Sequence, residues 1–315
     1  MNDKFGRDIY YLRLSVTDLC NLRCIYCMPE QGVEKRRHSD ILSIEEIEEI
    51  VRASVACGIR KIRVTGGEPL VRRGIIDICS RISANPEVEE LCITTNGTML
   101  PKYAVALRKA GVNRLNISLD TLDPEKYKTI TRCGQLKDAL DGIDAAFEAG
   151  FDHIKINTVL IGGVNDDEIP AFVEMTRDKN IHVRFIELMP IGECAAWSHE
   201  QFISNSKVLE IMPDLTKVGV SGVAQLYRLP EGRGTVGLIS PISSHFCPSC
   251  NRIRITADGK LKPCLHSADE VDLKGLRGEQ LVDTIANAVK NKPQKHLLDE
   301  NDKSFSKRNM NAIGG

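Results

Sequence analysis

Cys20, Cys24 and Cys27 fall within eight residues of one another in the stretch Thr17 to Glu30, TDLCNLRCIYCMPE. Thiolates gathered on one short loop suit an iron–sulfur cluster or zinc, and three without an evident fourth leave one metal corner open for exogenous chemistry. A structural zinc knuckle or unrelated buried cysteines compete with this reading, but zinc sites usually use two-residue gaps inside a pair and supply a fourth ligand. A second set lies downstream in CPSCNRIRITADGKLKPC, where Cys247 and Cys250 form C-x2-C and Cys264 follows after thirteen residues. Here zinc completed by His245 or His266 is the alternative to a cluster. Between these cysteines Arg252 and Arg254 alternate, which on a short strand puts both guanidiniums on one face. Two arginines beside an open metal site suit a phosphorylated substrate, because guanidinium binds phosphate bidentately; a solvated strand face is the plain alternative.

The chain that must position these groups has 315 residues, enough for one large α/β domain or two domains. Lysine plus arginine number 42 against 43 aspartate plus glutamate, so the net charge of −1 provides no global field for a polyanion and argues against nucleic acid as a partner. The N-terminus, MNDKFGRDIYYL, lacks an apolar signal core, and no stretch approaches the roughly 20 apolar residues of a membrane span. A cytoplasmic protein without a membrane partner is expected. Eleven cysteines in that compartment argue for metal rather than disulfides.

Periodicity gives the scaffold. Tyr10 to Val16 alternates and reads as a first strand, with the cysteine loop leaving its C-terminal end. Ser43 with Glu46 forms a capping box for a helix that Gly58 ends. Further strands are expected at Lys61–Thr65, Leu91–Thr95, Asn113–Leu119, Ile154–Leu160 and Val183–Leu188, with helices around Ile75–Ser83, Lys102–Lys109, Lys137–Ala149 and Asp167–Lys179. Six successive β–α units with right-handed crossovers predict an α/β fold, an incomplete (βα)6 barrel resembling a TIM barrel, with its site at the C-terminal strand ends. The polar residues fall there: Thr65-Gly66-Gly67-Glu68-Pro69, Thr94, Ser118 to Asp120, Lys155, Asn157, Glu187 and Met189. After Pro190 the rhythm breaks. A helix within Ser198–Met212 and antiparallel strands over Gln225–Ile239, turning at Pro230-Glu231-Gly232, suggest a second unit, so we divide the chain into 1–220, the barrel, and 221–315, a C-terminal extension.

The C-x3-C-x2-C loop, with Tyr26 before its third cysteine, resembles that of the radical S-adenosylmethionine superfamily. The resemblance implies a [4Fe–4S] cluster on Cys20, Cys24 and Cys27 whose free iron chelates S-adenosylmethionine, with Tyr26 supporting the adenine. TGGEPL, NISLDTLDPEKY, ELMPIGE, FCPSCNRIRITADGKLKPCL and the terminal IGG extend the likeness over almost the whole chain, which resembles the GTP 3′,8-cyclase family that begins molybdenum cofactor biosynthesis. That resemblance implies a lyase that cyclises GTP to (8S)-3′,8-cyclo-7,8-dihydroguanosine 5′-triphosphate. It assigns Gly67, Glu68, Ser118 and Met189 to S-adenosylmethionine, and Arg13, Arg63, Thr94, Lys155, Arg252, Ile253 and Arg254 to GTP. It places a second [4Fe–4S] cluster on Cys247, Cys250 and Cys264, and sends Gly314-Gly315 into the catalytic pocket with Arg13, Arg252 and Arg254. An electron donor, unnamed by the sequence, and a homodimer follow only by analogy. The residues agree on charge: Arg13, Arg63 and Lys155 lie on strands of one barrel, where buried cations need an anion, salt-bridged core cations being the alternative.

Two departures from the family pattern stand out. Cys194 follows MPIGE where no cysteine is expected, and Gly162 stands where a basic residue is expected. Cys57, Cys79 and Cys92 read as core residues, while Cys133 stays unassigned. A different radical enzyme with an electron-conducting cluster accounts for the cysteines but not for the arginines and the tail. A non-catalytic metal-binding regulator needs an interaction surface that near-zero charge and a polar barrel rim do not supply.

Overall fold

Parallel strands alternating with helices leave each strand one face against the helices and one toward the barrel interior, and the chain is written accordingly. The computed structural model describes residues 1–296, 298 and 304–314. Strands Tyr11–Ser15 (β1), Lys61–Thr65 (β2), Glu90–Thr95 (β3), Arg114–Ser118 (β4), Ile154–Leu160 (β5) and Ile181–Glu187 (β6) pair in parallel, each beside the last. Helices Ile44–Ala56 (α1), Ile75–Ser83 (α2), Leu100–Lys109 (α3), Pro124–Thr131 (α4), Leu136–Glu148 (α5) and Ile169–Asp178 (α6) form the crossovers. Leu12, Leu14, Ile62, Val64, Leu115, Ile117, Ile156 and Val183 are buried on the helix side. Alternation turns Arg13, Arg63, Thr94, Asn116 and Lys155 to the opposite face.

The first helix shows how local chemistry fixes an element. Ser43 and Glu46 complete the capping box, and Ile47, Ile50, Val51 and Val55 at helical spacing are buried. Each buried aliphatic side chain contributes about 1.5–3 kcal/mol, and loss of the cap costs about 1 kcal/mol.

Most expected strands begin and end within a residue or two of their predicted limits; β6 starts two residues earlier, at Ile181. α4 was not expected. It is short and largely polar, with Tyr127, Ile130 and Thr131 its buried residues, and it is set by Asp123, whose carboxylate accepts from the backbone of Glu125 and Lys126. The helix expected within Ser198–Met212 is confined to Ser206–Ile211 (α7), preceded by a short 3-10 turn at His199–Gln201.

The C-terminal region adds strands to both edges of the barrel sheet. Thr216–Ser221 (β7), Ala224–Arg228 (β8) and Thr235–Ile239 (β9) form an antiparallel run, and β9 pairs in parallel with β6. Arg252–Ile255 (β10), Lys260–Lys262 (β11) and Val271–Asp272 (β12) form another, and β10 pairs in parallel with β1. Twelve strands thus make one sheet among the described residues, in the order β12-β11-β10-β1-β2-β3-β4-β5-β6-β9-β8-β7. This satisfies backbone groups that a six-stranded partial barrel would leave bare at its edges. Val220 falls inside β7, and the sheet does not break there. A last helix, Gly278–Lys290 (α8), buries Leu281, Ile285, Ala288 and Val289 and packs against α1.

Candidate active site

The loop carrying the first three cysteines is held by backbone contact with the turn after β2. Gly67 N donates to Thr17 O at 2.8 Å and Glu68 N to Leu19 O at 2.9 Å. A Cβ on Gly66 would stand 2.5 Å from Thr17 O, and one on Gly67 would stand 2.5 Å from Leu19 O, so only glycine admits this approach. Glu68 is fully buried and accepts from Leu70 N, Thr95 Oγ1 and Asn96 N at 2.7–2.9 Å. Burial raises its pKa to about 7 against those three donors. Its carboxylate ties the β2 turn to the β3 turn.

Across the mouth, Tyr26 donates its hydroxyl to Asp120 at 2.7 Å, and Asp120 also accepts from Val159 N at 2.8 Å. Burial lifts Asp120 to about 6. A cleft of about 300 Å³ lies here, with Cys24, Tyr26, Asn96, Ser118 and Asp120 in its wall. Burial pushes Cys20 up to about 11 and Cys27 up to about 12; Cys24 rises well above its ordinary value through burial and the nearby Cys27 thiol. Three converging thiols that resist ionisation call for a cationic centre, since metal coordination deprotonates thiols outright. Among the described residues no three His, Cys, Asp or Glu side chains close on a single metal ion. A cluster does not ask for that arrangement, because each thiolate binds its own iron.

Inside the barrel, Arg254, Arg13 and Arg63 stand in register on β10, β1 and β2. Strand spacing sets such neighbours about 5 Å apart on one face. Arg63 donates to the Tyr11 hydroxyl and, at 3.2 Å, to Thr94 Oγ1; Arg184 donates to Thr235 Oγ1 at 3.2 Å and to Val183 O at 3.0 Å. These partners are neutral, and among the described residues no carboxylate pairs with Arg63, Arg184, Arg252 or Arg254. The cations therefore repel one another. Burial and then Arg254 lower Arg13 well below its usual value; burial and Arg252 bring Arg254 to about 10; burial and Arg184 bring Lys155 to about 7. Arg252 carries a buried Nε with no hydrogen-bond partner among the described residues. A cavity so charged is built for an anion of several charges.

The second cysteine set closes one side. Cys247, Cys250 and Cys264 line a cleft of about 520 Å³, counted to its open mouth, together with Met189, Arg252, Arg254, His266, Lys292 and His296. Of the histidines considered as a fourth ligand, His245 bonds the Pro241 carbonyl through Nδ1 at 3.1 Å and His266 meets Ser304 Oγ at 3.1 Å. Ile253 is buried between the two arginines.

The tail reaches the same place. Asn311 donates Nδ2 to Asp18 O at 3.0 Å, and its backbone meets the Cys27 thiol. Arg254 donates to Gly314 O at 2.6 Å. Gly314 has φ +69°, and a Cβ there would stand 2.4 Å from Thr65 Oγ1. Gly315 lies outside the described residues. Arg308 fixes the tail from outside by pairing with Asp258 and Glu270 at 3.0 and 2.7 Å.

Sequence reading missed Tyr11 and Arg184 as parts of this site, and it placed Asp120 on the rim without its Tyr26 partner. Arg184 had a signal: it alternates with buried Val183 and Phe185, and the bare backbone of Gly237, in register on β9, makes room for its side chain. The departures are resolved locally. Cys194 is buried and its thiol donates to Met189 O at 3.0 Å, while Gly162 packs so closely on Glu200 O that a Cβ would approach within 2.2 Å. Cys57, Cys79 and Cys92 are core residues. No helix of the described residues is long and apolar enough to cross a membrane.

Residues 14–176 match the family model of the Radical SAM superfamily, and residues 181–298 match that described as Molybdenum Cofactor Synthesis C. The chain is 51% identical to a GTP 3′,8-cyclase of Alkaliphilus metalliredigens and 48% identical to one of Petrotoga mobilis, each over 100% of both chains. Among solved structures it resembles Streptococcus suis SuiB bound to the precursor peptide SuiA, with a TM-score of 0.67 and 15% identity over 91% of this chain and 67% of the other. It also resembles methylornithine synthase, with a TM-score of 0.52 and 18% identity over 66% of this chain and 63% of the other. At such identities these two likenesses describe the fold alone.

Proposed function

The chain belongs to the GTP 3′,8-cyclase family within the radical S-adenosylmethionine superfamily, and on that premise we propose that it joins ribose C3′ of GTP to guanine C8, the step that opens molybdenum cofactor biosynthesis. The observation that carries this reading is the row Arg254, Arg13 and Arg63, in register on three strands and capped at one end by the Gly314 carbonyl.

Cys20, Cys24 and Cys27 hold a [4Fe–4S] cluster, and Gly67, Glu68, Tyr26, Ser118 and Met189 surround S-adenosylmethionine. Together the cluster and S-adenosylmethionine supply one-electron cleavage and hydrogen-atom abstraction. Gly67 offers backbone rather than side chain to the methionine end, because Glu68 pins the turn from beneath. Tyr26, its hydroxyl fixed on Asp120, presents a ring whose position does not drift.

Arg13, Arg63, Thr94 and Lys155 receive the triphosphate from the barrel side, and Arg252, Ile253 and Arg254 close on the nucleotide from β10. Preorganised cations act strongly here because the wall excludes water, and they need no rearrangement when the anion arrives. Lys155, held near pKa 7 before substrate binds, takes up a proton at Nζ as phosphate enters. Cys247, Cys250 and Cys264 hold a second [4Fe–4S] cluster on the β10 side, and their placement in the wall of one cleft beside Arg252 and Lys292 supports it. An external electron donor completes the reactants. Residues 221–315 thus act as a cluster-bearing wall that shares the barrel's own sheet.

Anaerobic incubation with GTP, S-adenosylmethionine and a reductant tests the reading. A nucleotide of unchanged mass and altered chromatographic mobility is the expected product, and unaltered GTP beside consumed S-adenosylmethionine contradicts it.

A further inference from the structure

Lys292 is buried at 2% exposure, a state that lysine rarely occupies without a carboxylate. Its ammonium donates to Pro263 O at 2.5 Å, a neutral partner. Nearby Lys262, equally buried, pairs with Glu270 at 3.2 Å, so the region does provide carboxylates where a lysine needs one. Among the described residues none pairs with Lys292. What it faces is the cleft of Cys247, Cys250 and Cys264.

The fold devotes an element to putting it there. α8 buries its apolar stripe against α1 and β11, and the chain continues through Asn291 so that Lys292 N still donates to Val289 O at 3.1 Å. The ammonium is thereby bonded to the residue immediately before Cys264 and shares the cleft with that cysteine. A cation beside a helix C-terminus gains some stabilisation from the helix dipole, but one neutral acceptor does not compensate a buried ammonium.

We propose that Lys292 is the built-in counter-charge of the second three-cysteine site, holding the anionic cluster in place and easing its one-electron reduction. The inference rests on the second-cluster reading given above. Three thiolates around a [4Fe–4S]2+ core carry one net negative charge, and each further electron adds another in a low-dielectric wall. A fixed ammonium favours the more negative state.

The test uses the full chain with Cys20, Cys24 and Cys27 replaced by alanine, so that the second cluster alone is read. Iron analysis of this parent gives four irons if the site holds a cluster; absence of iron overturns the cluster reading itself and the inference with it. Lys292→Met keeps the length and removes the charge. Potentiometric titration followed by electron paramagnetic resonance is expected to show reduction disfavoured by tenfold or more in its equilibrium constant, which for a one-electron couple is 59 mV. An unchanged potential overturns the proposal while leaving the cluster reading intact. If the Met variant folds by circular dichroism but binds no iron, Lys292→Arg decides: recovered iron supports the charge, and continued loss assigns Lys292 to packing and overturns it.

Discussion

Arg254 donates to the carbonyl of Gly314 at 2.6 Å, so the last described residue of the chain is bonded to β10, the strand that follows Cys250 directly. A left-handed φ and a 2.4 Å limit against Thr65 Oγ1 leave glycine as the residue that fits.

Deleting Gly314 and Gly315 is therefore expected to leave thermal stability, iron content and GTP affinity nearly unchanged while severely lowering the rate constant at saturating GTP. Two glycines bury no side chain, and ordering them costs more backbone entropy than any other dipeptide, so their contribution belongs to the reacting complex. Gly314→Ala should behave alike. Steady-state kinetics beside a thermal melt checks both, and full turnover by the truncated chain contradicts the assignment.

Arg252→Ala and Arg254→Ala remove two cations from β10, neither of them paired with a carboxylate among the described residues. Each charge-assisted contact to phosphate contributes about 1.5–3 kcal/mol, or roughly a 10- to 150-fold loss of GTP affinity. Equilibrium binding measures the loss, with iron content as the control. Unchanged affinity in both variants rules out β10 as a substrate-facing strand.

Much of this site is legible in the amino-acid sequence. The cysteine spacings, the capping box at Ser43, the strand of Arg252 and Arg254 and the glycine turn at Gly66-Gly67 are local, and local chemistry is written in neighbouring residues. The pairing of β10 with β1 is not legible there, because nothing near Arg252 names Tyr11 as its register partner 241 positions earlier. For the same reason the arginine row can be expected as separate basic residues but not as a row. Asp120 and Glu68 are visible as rim carboxylates, yet their separate roles, toward Tyr26 and toward the Thr95 hydroxyl and Asn96 backbone, depend on which loops meet. α4 is hidden by its polar surface.

Lys155 predicts a pH dependence. In the free protein its pKa is lowered to about 7 by burial and the Arg184 charge, and a bound phosphate raises it. Between the two values binding takes up a proton, so GTP affinity is highest below about pH 7 and falls as pH rises. The same lowering means that the unfolded chain binds more protons between pH 7 and the ordinary lysine value, so Lys155's share of stability rises with pH across that window. Calorimetry at pH 8 in two buffers of different ionisation enthalpy is expected to report proton uptake, lost in Lys155→Met. Equal heats in both buffers contradict the assignment.

The two cysteine sets should assemble independently. Anaerobic reconstitution is expected to give eight irons in the full chain, and four after Cys20, Cys24 and Cys27 are replaced by alanine, with cleavage of S-adenosylmethionine abolished. Loss of all iron in that variant contradicts separate sites.

On the proposed function, the arginine row holds GTP with its ribose facing S-adenosylmethionine. The most direct measurement gives the reduced enzyme GTP deuterated at C3′ and follows the label by mass spectrometry. Deuterium in 5′-deoxyadenosine, in step with a cyclised nucleotide that has lost it, is the predicted result. Deuterium retained in the nucleotide while S-adenosylmethionine is cleaved contradicts the claim.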